Sequence, residues 1–304
     1  MSLSDKRGGC IIFNPVARGE QAKRFYNQLA RLGKECSLKK TQIPGQGREL
    51  ARRAVEEGYK IIVCAGGDGT LNEVINGIGD VEGGFKRVTV GVIPLGTSNV
   101  FAREHNIPLN VDDALKTLMS GIRERIDLPY VEFEKDGKRE RRYFIQLGGA
   151  GLDARAVEVL SWELKKRIGW LAYIIAGLKA VCEKQPVIEV KSDEVNTTGN
   201  LVLFGNGRFY GGSFKIFPLA SFNDGYLDLA VYPEVNYLTA LRCIPGFFTK
   251  NFSYKGGARY YKCAAFELRS AGRVGFELDG EFVGELPITV KLQRYGIEVI
   301  KPGS

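Results

Sequence analysis

The fold is decided by the segment Lys60-Ile-Ile-Val-Cys-Ala-Gly-Gly-Asp-Gly-Thr-Leu-Asn-Glu-Val-Ile-Asn-Gly-Ile78. The apolar, β-branched run Ile61 to Val63 predicts a buried strand, and a glycine-rich turn follows it. Thr70 and Glu73 have the spacing of a capping box, which predicts that a helix starts at the end of the turn. The apolar residues of that helix recur at i, i+3, i+4 and i+7: Leu71, Val74, Ile75 and Ile78. The segment therefore predicts a strand–turn–helix unit of an α/β domain.

The glycine-rich turn has the chemistry of a phosphate site. Its backbone N–H groups point beyond the end of the sheet, and the helix dipole adds positive potential there. Asp68 would repel phosphate directly, so we expect a metal ion or a hydroxyl between them, which suggests nucleotide phosphates with Mg²⁺. The plain alternative is that the glycines only permit a tight turn. The sequence contains no Walker-type Gly-x-x-x-x-Gly-Lys-Ser/Thr and no Gly-x-Gly-x-x-Gly, which disfavours the common ATPases and dehydrogenases.

The composition predicts an ordinary globular protein with an acidic partner. A chain of 304 residues with 44% hydrophobic and 26% charged residues is long enough for two domains. Its net charge of +8 favours a nucleotide polyphosphate, a nucleic acid or an anionic membrane surface, although a basic surface also aids solubility. The sequence shows no nucleic-acid motif, so we expect no nucleic-acid partner.

Hydropathy and cysteine usage predict a cytoplasmic protein. The apolar run from Trp170 to Ala176 is far shorter than the roughly 20 residues of a spanning helix, and the first residues do not predict a signal peptide. The 6 cysteines form no Cys-x-x-Cys pair, which predicts buried free thiols in a reducing compartment.

The chain has a single histidine, His105, which excludes a zinc site built from several histidines. We predict that His105 lies at the surface or caps the C-terminus of a helix. Proton transfer is therefore assigned to carboxylates.

The order of predicted elements changes near residue 125. Before it, strands and helices alternate, which predicts a doubly wound, mostly parallel sheet with its ligand beyond the carboxyl ends of the strands. After Ile126, short alternating runs, one of them Arg142 to Leu147, predict the strands of an antiparallel β-sandwich. Two helical segments interrupt it, at Ala154–Glu183 and Val235–Phe248. We therefore predict an α/β nucleotide-binding domain over 1–125, to which residues 292–304 return, and a β-rich substrate domain over 126–291.

Glycine-rich and polar stretches occur in a fixed order along nearly the whole chain. They are Asn14-Pro15, Gly66-Gly-Asp-Gly-Thr-Leu-Asn72, Pro94-Leu-Gly-Thr97 with Asn99, Gly149-Ala-Gly-Leu-Asp153, Asn206-Gly207 with Gly211-Gly212, Asn223-Asp-Gly-Tyr-Leu-Asp228, and Asp279-Gly-Glu281. With these stretches in place the chain resembles the soluble bacterial lipid kinases of the diacylglycerol kinase type. Their catalytic domain is shared with eukaryotic diacylglycerol, sphingosine and ceramide kinases. A Gly-Gly-Asp-Gly-Thr turn alone would also fit NAD kinases and phosphofructokinases, whereas the ordered set is specific to lipid kinases.

The resemblance implies an ATP site in the first domain, and it also implies a catalytic role for Asp68. The implied ATP-binding residues are Asn14, Thr41, Gly66, Gly67, Asp68, Gly69, Thr70, Leu71, Asn72 and Thr97. The residue pattern by itself supports phosphate binding at the two glycine turns. It gives no evidence on Thr41, which could simply end a strand.

The resemblance also implies two acidic sites in the second domain. An accessory Mg²⁺ would be bound by the Asp224 carboxylate together with nearby backbone carbonyls, at Ser221 and Tyr226. Asp279 or Glu281 would be the general base, and the choice between them is open. For both sites the alternative is a simple Asp-Gly turn between strands.

One position departs from the pattern of the resemblance. Many family members carry an aspartate where this chain has Val100, although Asp68 and Asp127 of the same acidic network are present. The sphingosine and ceramide branch also lacks this aspartate, so activity would survive with a different substrate or metal use. Asp127 and Asp153 are the candidates for contact with the lipid substrate.

Two segments combine basic residues with an apolar surface. They are Lys165–Lys179 and Phe247–Lys255. Each is explained by a helix or loop that covers the core, or by a surface that touches lipid at the membrane interface.

We therefore interpret the chain as an ATP-dependent lipid kinase that phosphorylates the hydroxyl of a membrane lipid such as diacylglycerol. It would use ATP and Mg²⁺, bind reversibly to the anionic inner face of the cytoplasmic membrane, and be compatible with a homodimer. The alternatives are a sphingoid-base or ceramide kinase, a soluble phosphotransferase like NAD kinase, and a catalytically silent lipid-binding module.

Overall fold

The computed structural model describes residues 9–15, 23–28, 36–151, 186–210, 212–236, 239, 246, 249–252 and 257–303. The chain divides into two compact units. The first comprises Met1–Leu128 with Arg294–Ser304, and the second comprises Pro129–Gln293. The predicted helix at 154–183 lies outside the described residues, as does most of the predicted helix at 235–248. No helix within the described residues is long and apolar enough to cross a membrane.

The strands, in chain order, are β1 (Gly9–Phe13), β2 (Ser37–Lys40), β3 (Ile61–Gly66), β4 (Thr89–Pro94), β5 (Ile122–Lys135), β6 (Lys138–Tyr143), β7 (Leu147–Gly151), β8 (Ile188–Lys191), β9 (Asn196–Gly199), β10 (Leu201–Gly205), β11 (Phe209–Tyr210), β12 (Phe214–Lys215), β13 (Leu227–Tyr232), β14 (Arg259–Cys263), β15 (Ala265–Ser270), β16 (Gly275–Leu278), β17 (Glu281–Glu285) and β18 (Ile288–Lys301). The helices are α1 (Gln46–Glu56), α2 (Asp68–Gly79), α3 (Gly84–Arg87), α4 (Val100–Glu104) and α5 (Val111–Ser120). Residues 23–28 are also helical.

The first unit is built on a parallel sheet with the strand order β2-β1-β3-β4-β18. Every residue of β1, β3 and β4 is buried, as expected of parallel strands that are covered on both faces. The final part of β18 pairs in parallel with β4, through Glu298 opposite Thr89 and Val299 opposite Val90. The first unit therefore completes its sheet with residues from the other end of the described chain.

The second unit is an antiparallel β-sandwich. One sheet has the order β14-β13-β10-β7-β16-β17. The other contains β15, β8 and β9 together with β6 and the adjoining parts of β5 and β18. Their inner faces share one apolar core, in which Phe204 packs edge-on against both Phe144 and Phe266. The predicted fold class, an α/β domain with a mostly parallel sheet followed by an antiparallel sandwich, is confirmed.

One predicted strand was wrong. We expected Arg142 to Leu147 to form a single strand, but β6 ends at Tyr143 and β7 begins at Leu147. The Phe144 N–H still donates to the Pro129 carbonyl of β5, whereas the N–H groups of Ile145 and Gln146 donate to the Asp279 side chain. The small hairpin of β11 and β12 was not predicted either.

Candidate active site

The two glycine turns of the first unit lie against each other at the carboxyl ends of β3 and β4. The Leu95 N–H donates to the Gly66 carbonyl at 2.9 Å. A Cβ atom added to Gly96 would lie only 2.5 Å from the Cα atom of Gly67. No side chain fits at Gly96, and a Cβ atom on Gly67 would lie only 3.1 Å from the Cα atom of Gly96, so the close packing of the two turns depends on glycine.

The start of α2 differs from the predicted capping box. Its N-cap is Gly67, and no side chain caps it. Glu73 instead accepts the N–H groups of Gly45 and Gly47, at 2.9 and 2.8 Å, and so stabilises the start of α1. Thr70 belongs to α2 itself and is not its N-cap residue. Its hydroxyl accepts a hydrogen bond from the Asn14 amide at 3.1 Å. The capping-box prediction was wrong because the partner of Glu73 belongs to another helix.

Most of the predicted ATP-binding residues lie along this edge of the first unit. Asn14 and Thr41 follow β1 and β2 directly, and their backbone N–H groups extend the sheet by bonding the Ala65 and Phe13 carbonyls. Thr97 is exposed on the second turn. Leu71 and Asn72 are buried in α2, where the Asn72 side chain accepts a hydrogen bond from Asn76 at 3.0 Å.

Asp68, the first residue of α2, also accepts the N–H of Phe101 at 3.2 Å. It therefore links the first glycine turn to the start of α4. Burial raises the pKa of the Asp68 carboxyl, and the N–H groups of Val100 and Phe101 oppose that rise. Val100 is itself buried, so an apolar side chain occupies the position where the resemblance leads one to expect an aspartate.

Asp127 is almost completely buried in the first unit, with 1% of its surface exposed. Its carboxylate accepts the backbone N–H of Tyr295 at 2.8 Å, where the backbone of β18 has a positive φ of 49°. Asp127 thus stabilises the return strand, a role that the sequence did not indicate.

His105 is the C-cap residue of α4, which was one of its two predicted positions. It is buried, with its ring 4.3 Å from the ring of Phe101. The alternative surface position was therefore wrong.

Asp279, between β16 and β17 of the second unit, is bound by backbone. One carboxylate oxygen accepts the N–H of Ile145 at 2.8 Å. The other accepts those of Gln146 and Leu147, at 2.9 and 3.2 Å. Asp279 has a φ of 51°, a left-handed conformation that costs energy for a residue other than glycine. These contacts make Asp279 the anchor of the loop between β6 and β7.

Glu281, two residues further on, is in a different environment. Its side chain is 50% exposed, and its carboxylate lies 3.1 Å from the Arg142 guanidinium. The sequence treated Asp279 and Glu281 as equivalent, whereas the structure gives backbone partners to the first and an exposed ion pair to the second.

Gln146 was not singled out by the sequence. It is 6% exposed, and its carbonyl accepts the N–H groups of Asn206 and Gly207. Neither atom of its side-chain amide has a hydrogen-bond partner among the described residues. A buried amide without a partner is costly and is a signal of a polar ligand or an ordered water.

The loop that was predicted to hold an accessory Mg²⁺ binds a lysine instead. The Asp224 carboxylate lies 2.7 Å from the Lys262 ammonium and also accepts the Tyr226 N–H at 3.0 Å. The Ser221 hydroxyl accepts the Asn223 N–H at 3.4 Å. Within the described residues there is no group of three or more acidic, histidine or cysteine side chains that could hold a metal ion. The one carboxylate of the predicted site is therefore paired with Lys262 and the Tyr226 N–H, so it is poorly available to a divalent ion while Lys262 is in place.

Asp153 and the segment Lys165–Lys179 lie outside the described residues, as does most of Phe247–Lys255.

Four of the cysteines, at positions 10, 36, 64 and 263, are buried free thiols as predicted. Burial raises the pKa of Cys10 and of Cys263 to about 12 in each case.

Known proteins resemble this chain over almost its full length. A family model of the diacylglycerol kinase catalytic domain matches residues 9–131. A second model, the YegS C-terminal NAD kinase beta sandwich-like domain, matches residues 148–301. The diacylglycerol kinase of Staphylococcus carnosus is 31% identical over 300 residues, which cover 96% of this chain and 94% of the relative. The chain belongs to the diacylglycerol kinase family. The diacylglycerol kinase of Bacillus subtilis is also 31% identical, over 303 residues that cover 96% of this chain and 95% of that protein.

A solved structure shows the same fold as this member of the diacylglycerol kinase family. The crystal structure of a diacylglycerol kinase from Bacillus anthracis has a TM-score of 0.75 and 21% identity, and the match covers 98% of this chain and 97% of that chain. The chain is therefore a kinase of the lipid-kinase type, and membership in this family implies the use of ATP.

Proposed function

We propose that this kinase transfers the γ-phosphoryl group of ATP to the hydroxyl of a membrane lipid of the diacylglycerol class. The observation that carries the proposal is the pair of touching glycine turns at the carboxyl ends of β3 and β4. Backbone N–H groups that converge at such an edge are suited to phosphate, and phosphoryl transfer depends mainly on positioning and charge neutralisation.

In this proposal the nucleotide is bound by the first unit. The turn Gly66–Asn72 would hold the phosphates, with Asn14, Thr41 and Thr97 along the same edge. The substrate would be ATP with its Mg²⁺, and Asp68 would face that ion. The buried, partly N–H-bonded carboxylate of Asp68 supports this role, because a bound cation would offset the cost of its burial.

The second unit would supply the general base. We assign this role to Glu281 and a positioning role to Asp279. The oxygens of Asp279 accept three backbone N–H groups, whereas half of the Glu281 side chain is exposed and accessible to an acceptor hydroxyl. Asp153 remains a candidate for contact with the lipid, whereas the buried Asp127 is assigned to the return strand.

Val100 favours one alternative acceptor. The aspartate that it replaces is also absent from the sphingosine and ceramide branch, so a sphingoid base or ceramide is the second candidate substrate. Transfer of labelled γ-phosphate to separate vesicles containing diacylglycerol, sphingosine, ceramide or phosphatidylglycerol, and to free NAD, distinguishes these acceptors. We expect diacylglycerol to be labelled fastest. Preferential labelling of NAD would support a soluble phosphotransferase, and no labelling of any acceptor would support a silent lipid-binding module.

We further propose that the kinase binds the membrane reversibly, at the anionic inner face of the cytoplasmic membrane. The net charge of +8 supports this proposal, because each basic residue near an anionic surface contributes about 1 kcal/mol and the attraction is screened by salt. Co-sedimentation with anionic vesicles should weaken as salt increases, and neutral vesicles should bind less. Equal binding to both vesicle types at all salt concentrations would contradict the proposal. A homodimer also remains a proposal, and analytical ultracentrifugation would test it.

A further inference from the structure

Three oxygen atoms surround the ammonium group of Lys262 in the second unit. The Asp224 Oδ2 lies 2.7 Å away, the Leu219 carbonyl oxygen 3.4 Å, and the Asp228 Oδ2 3.6 Å. The ammonium donates hydrogen bonds to Asp224 and Leu219, whereas Asp228 at 3.6 Å is at ion-pair distance without a hydrogen bond. This arrangement joins β14 to the loop that precedes β13.

The position of Lys262 follows from the register of the sheet. β13 and β14 are antiparallel, and Asp228 is directly opposite Lys262. Opposite residues of an antiparallel pair project from the same face, with Cβ atoms about 5 Å apart. The lysine is therefore held beside the acidic loop by backbone pairing and not by a chance surface contact.

Because the Asp228 side chain is buried, this contact should contribute more to stability than a surface ion pair. Exposed ion pairs contribute only about 0–1 kcal/mol. The Asp228 side chain, however, is only 10% exposed, whereas that of Lys262 is 38% exposed. A buried carboxylate requires a cation or several hydrogen-bond donors, and the ammonium of Lys262 supplies the positive charge here.

The same oxygens are poorly available to a divalent metal ion. Both oxygens of Asp224 already have donors, the ammonium on one side and the Tyr226 N–H on the other. Ca²⁺ takes six to eight oxygen ligands at about 2.3–2.6 Å, and Mg²⁺ needs near-ideal octahedral geometry. A divalent ion close enough to be coordinated by Asp224 would also be repelled by the Lys262 ammonium.

We propose that the Lys262 ammonium is the resident cation of the loop Leu219–Tyr226, and that the protein binds no divalent ion there. The positive charge that was expected from an accessory Mg²⁺ is built into strand β14. The loop is thus held against the sheet without metal, and its stability does not depend on the supply of divalent ions.

The first test uses the unmodified protein without nucleotide. Its melting temperature should be the same in EDTA and in millimolar Mg²⁺, Ca²⁺ or Mn²⁺. Calorimetry should detect no binding of a divalent ion that depends on Asp224. Binding of a divalent ion that is lost in Asp224→Asn would overturn the proposal. Both measurements are independent of kinase activity, so they stand whatever the lipid acceptor is.

The second test compares Lys262→Ala with Arg259→Ala. Both variants remove one positive charge from β14, but Arg259 is exposed. Lys262→Ala should lower the melting temperature by about 3–6 °C, whereas Arg259→Ala should change it little. With the ammonium gone, millimolar divalent ions should restore part of the loss, since a ligand that binds only the folded state stabilises it.

Lys262→Arg is the second variant for the case in which Lys262→Ala does not fold. It keeps the charge and should melt within a few degrees of the unmodified protein. Equal melting temperatures for Lys262→Ala and Arg259→Ala would overturn the proposal. So would a Lys262→Arg variant as unstable as Lys262→Ala.

Discussion

The carboxylate of Asp279 accepts the backbone N–H of Ile145 at 2.8 Å, across 134 residues of sequence. This bond and its two neighbours keep the chain between β6 and β7 out of the sheet. An acidic side chain in the most conspicuous acidic turn of the chain therefore has a structural role. The two carboxylates of that turn should respond differently to substitution.

Glu281→Gln should reduce kcat by about 10²–10⁴-fold, because loss of a general base typically has this effect. Its stability should change little, since the side chain is half exposed. Asp279→Ala should instead lower the free energy of unfolding by about 1–3 kcal/mol, because it leaves backbone N–H groups without acceptors. Steady-state kinetics and thermal unfolding of both variants test this division. A stable Asp279→Ala with low kcat, beside an active Glu281→Gln, would reverse the assignment.

Asp68→Asn should abolish most phosphotransfer while the protein stays folded. The amide keeps one oxygen that can accept the Phe101 N–H, but it loses the charge that we expect to face Mg²⁺. Asp68→Ala also loses the acceptor and should be less stable than Asp68→Asn by about 0.5–2 kcal/mol. The decisive measurement is kcat at saturating ATP and Mg²⁺. An unchanged kcat in Asp68→Asn would remove Asp68 from the site.

Gly96→Ala should separate the two glycine turns and weaken ATP binding. The added methyl group would lie 2.5 Å from the Cα atom of Gly67, so the backbone has to move, at a cost of about 1–3 kcal/mol. Gly303→Ala is the control, because its nearest neighbour is a side-chain atom at 3.8 Å. Thermal unfolding and the KM for ATP should change in the first variant and not in the second. Equal behaviour would show that the contact is unimportant.

Glu132 should contribute to acid sensitivity. Hydrogen bonds from Lys291 and Arg141 lower the pKa of Glu132 to about 2. Because the folded-state pKa lies below the unfolded value of about 4.5, the carboxylate stabilises the protein at neutral pH. That stabilisation is lost as the pH falls from about 4.5 toward 2.

Glu132→Gln should therefore lower the free energy of unfolding by about 1–3 kcal/mol at neutral pH and flatten its decline in acid. Glu134→Gln, an exposed change on the same strand, is the control. Denaturant unfolding across this pH range measures both. Parallel pH profiles for Glu132→Gln and the unmodified protein would contradict the prediction.

Gln146→Met should raise the free energy of unfolding by about 1–3 kcal/mol, because it replaces a buried amide that has no partner among the described residues. Gln293→Met, at a partly exposed position, should be nearly neutral. If the amide binds the acceptor lipid, the stabilised variant should also show a higher KM for lipid at unchanged KM for ATP. A loss of stability would mean that the amide is satisfied in solution.

Local patterns predicted the elements of the fold well. The β-branched runs and glycine turns from Ile61 to Val100 marked the parallel sheet, and alternation after Ile126 marked the sandwich. Contacts between distant residues were not predictable. Glu73 caps a helix 26 to 28 residues earlier in the chain, and Lys262 meets an aspartate 38 residues away. Such partners depend on sheet register and helix packing, which a single sequence does not specify.

The pairing of β18 with β4 constrains how this protein is made. The first unit needs Glu298 and Val299 for the edge of its sheet, yet the whole second unit is translated between them and Leu128. On the ribosome, one edge of β4 stays unpaired while the second unit is synthesised. A nascent chain interrupted there would expose an unpaired strand that favours aggregation, and a fragment expressed as residues 1–128 would carry the same defect.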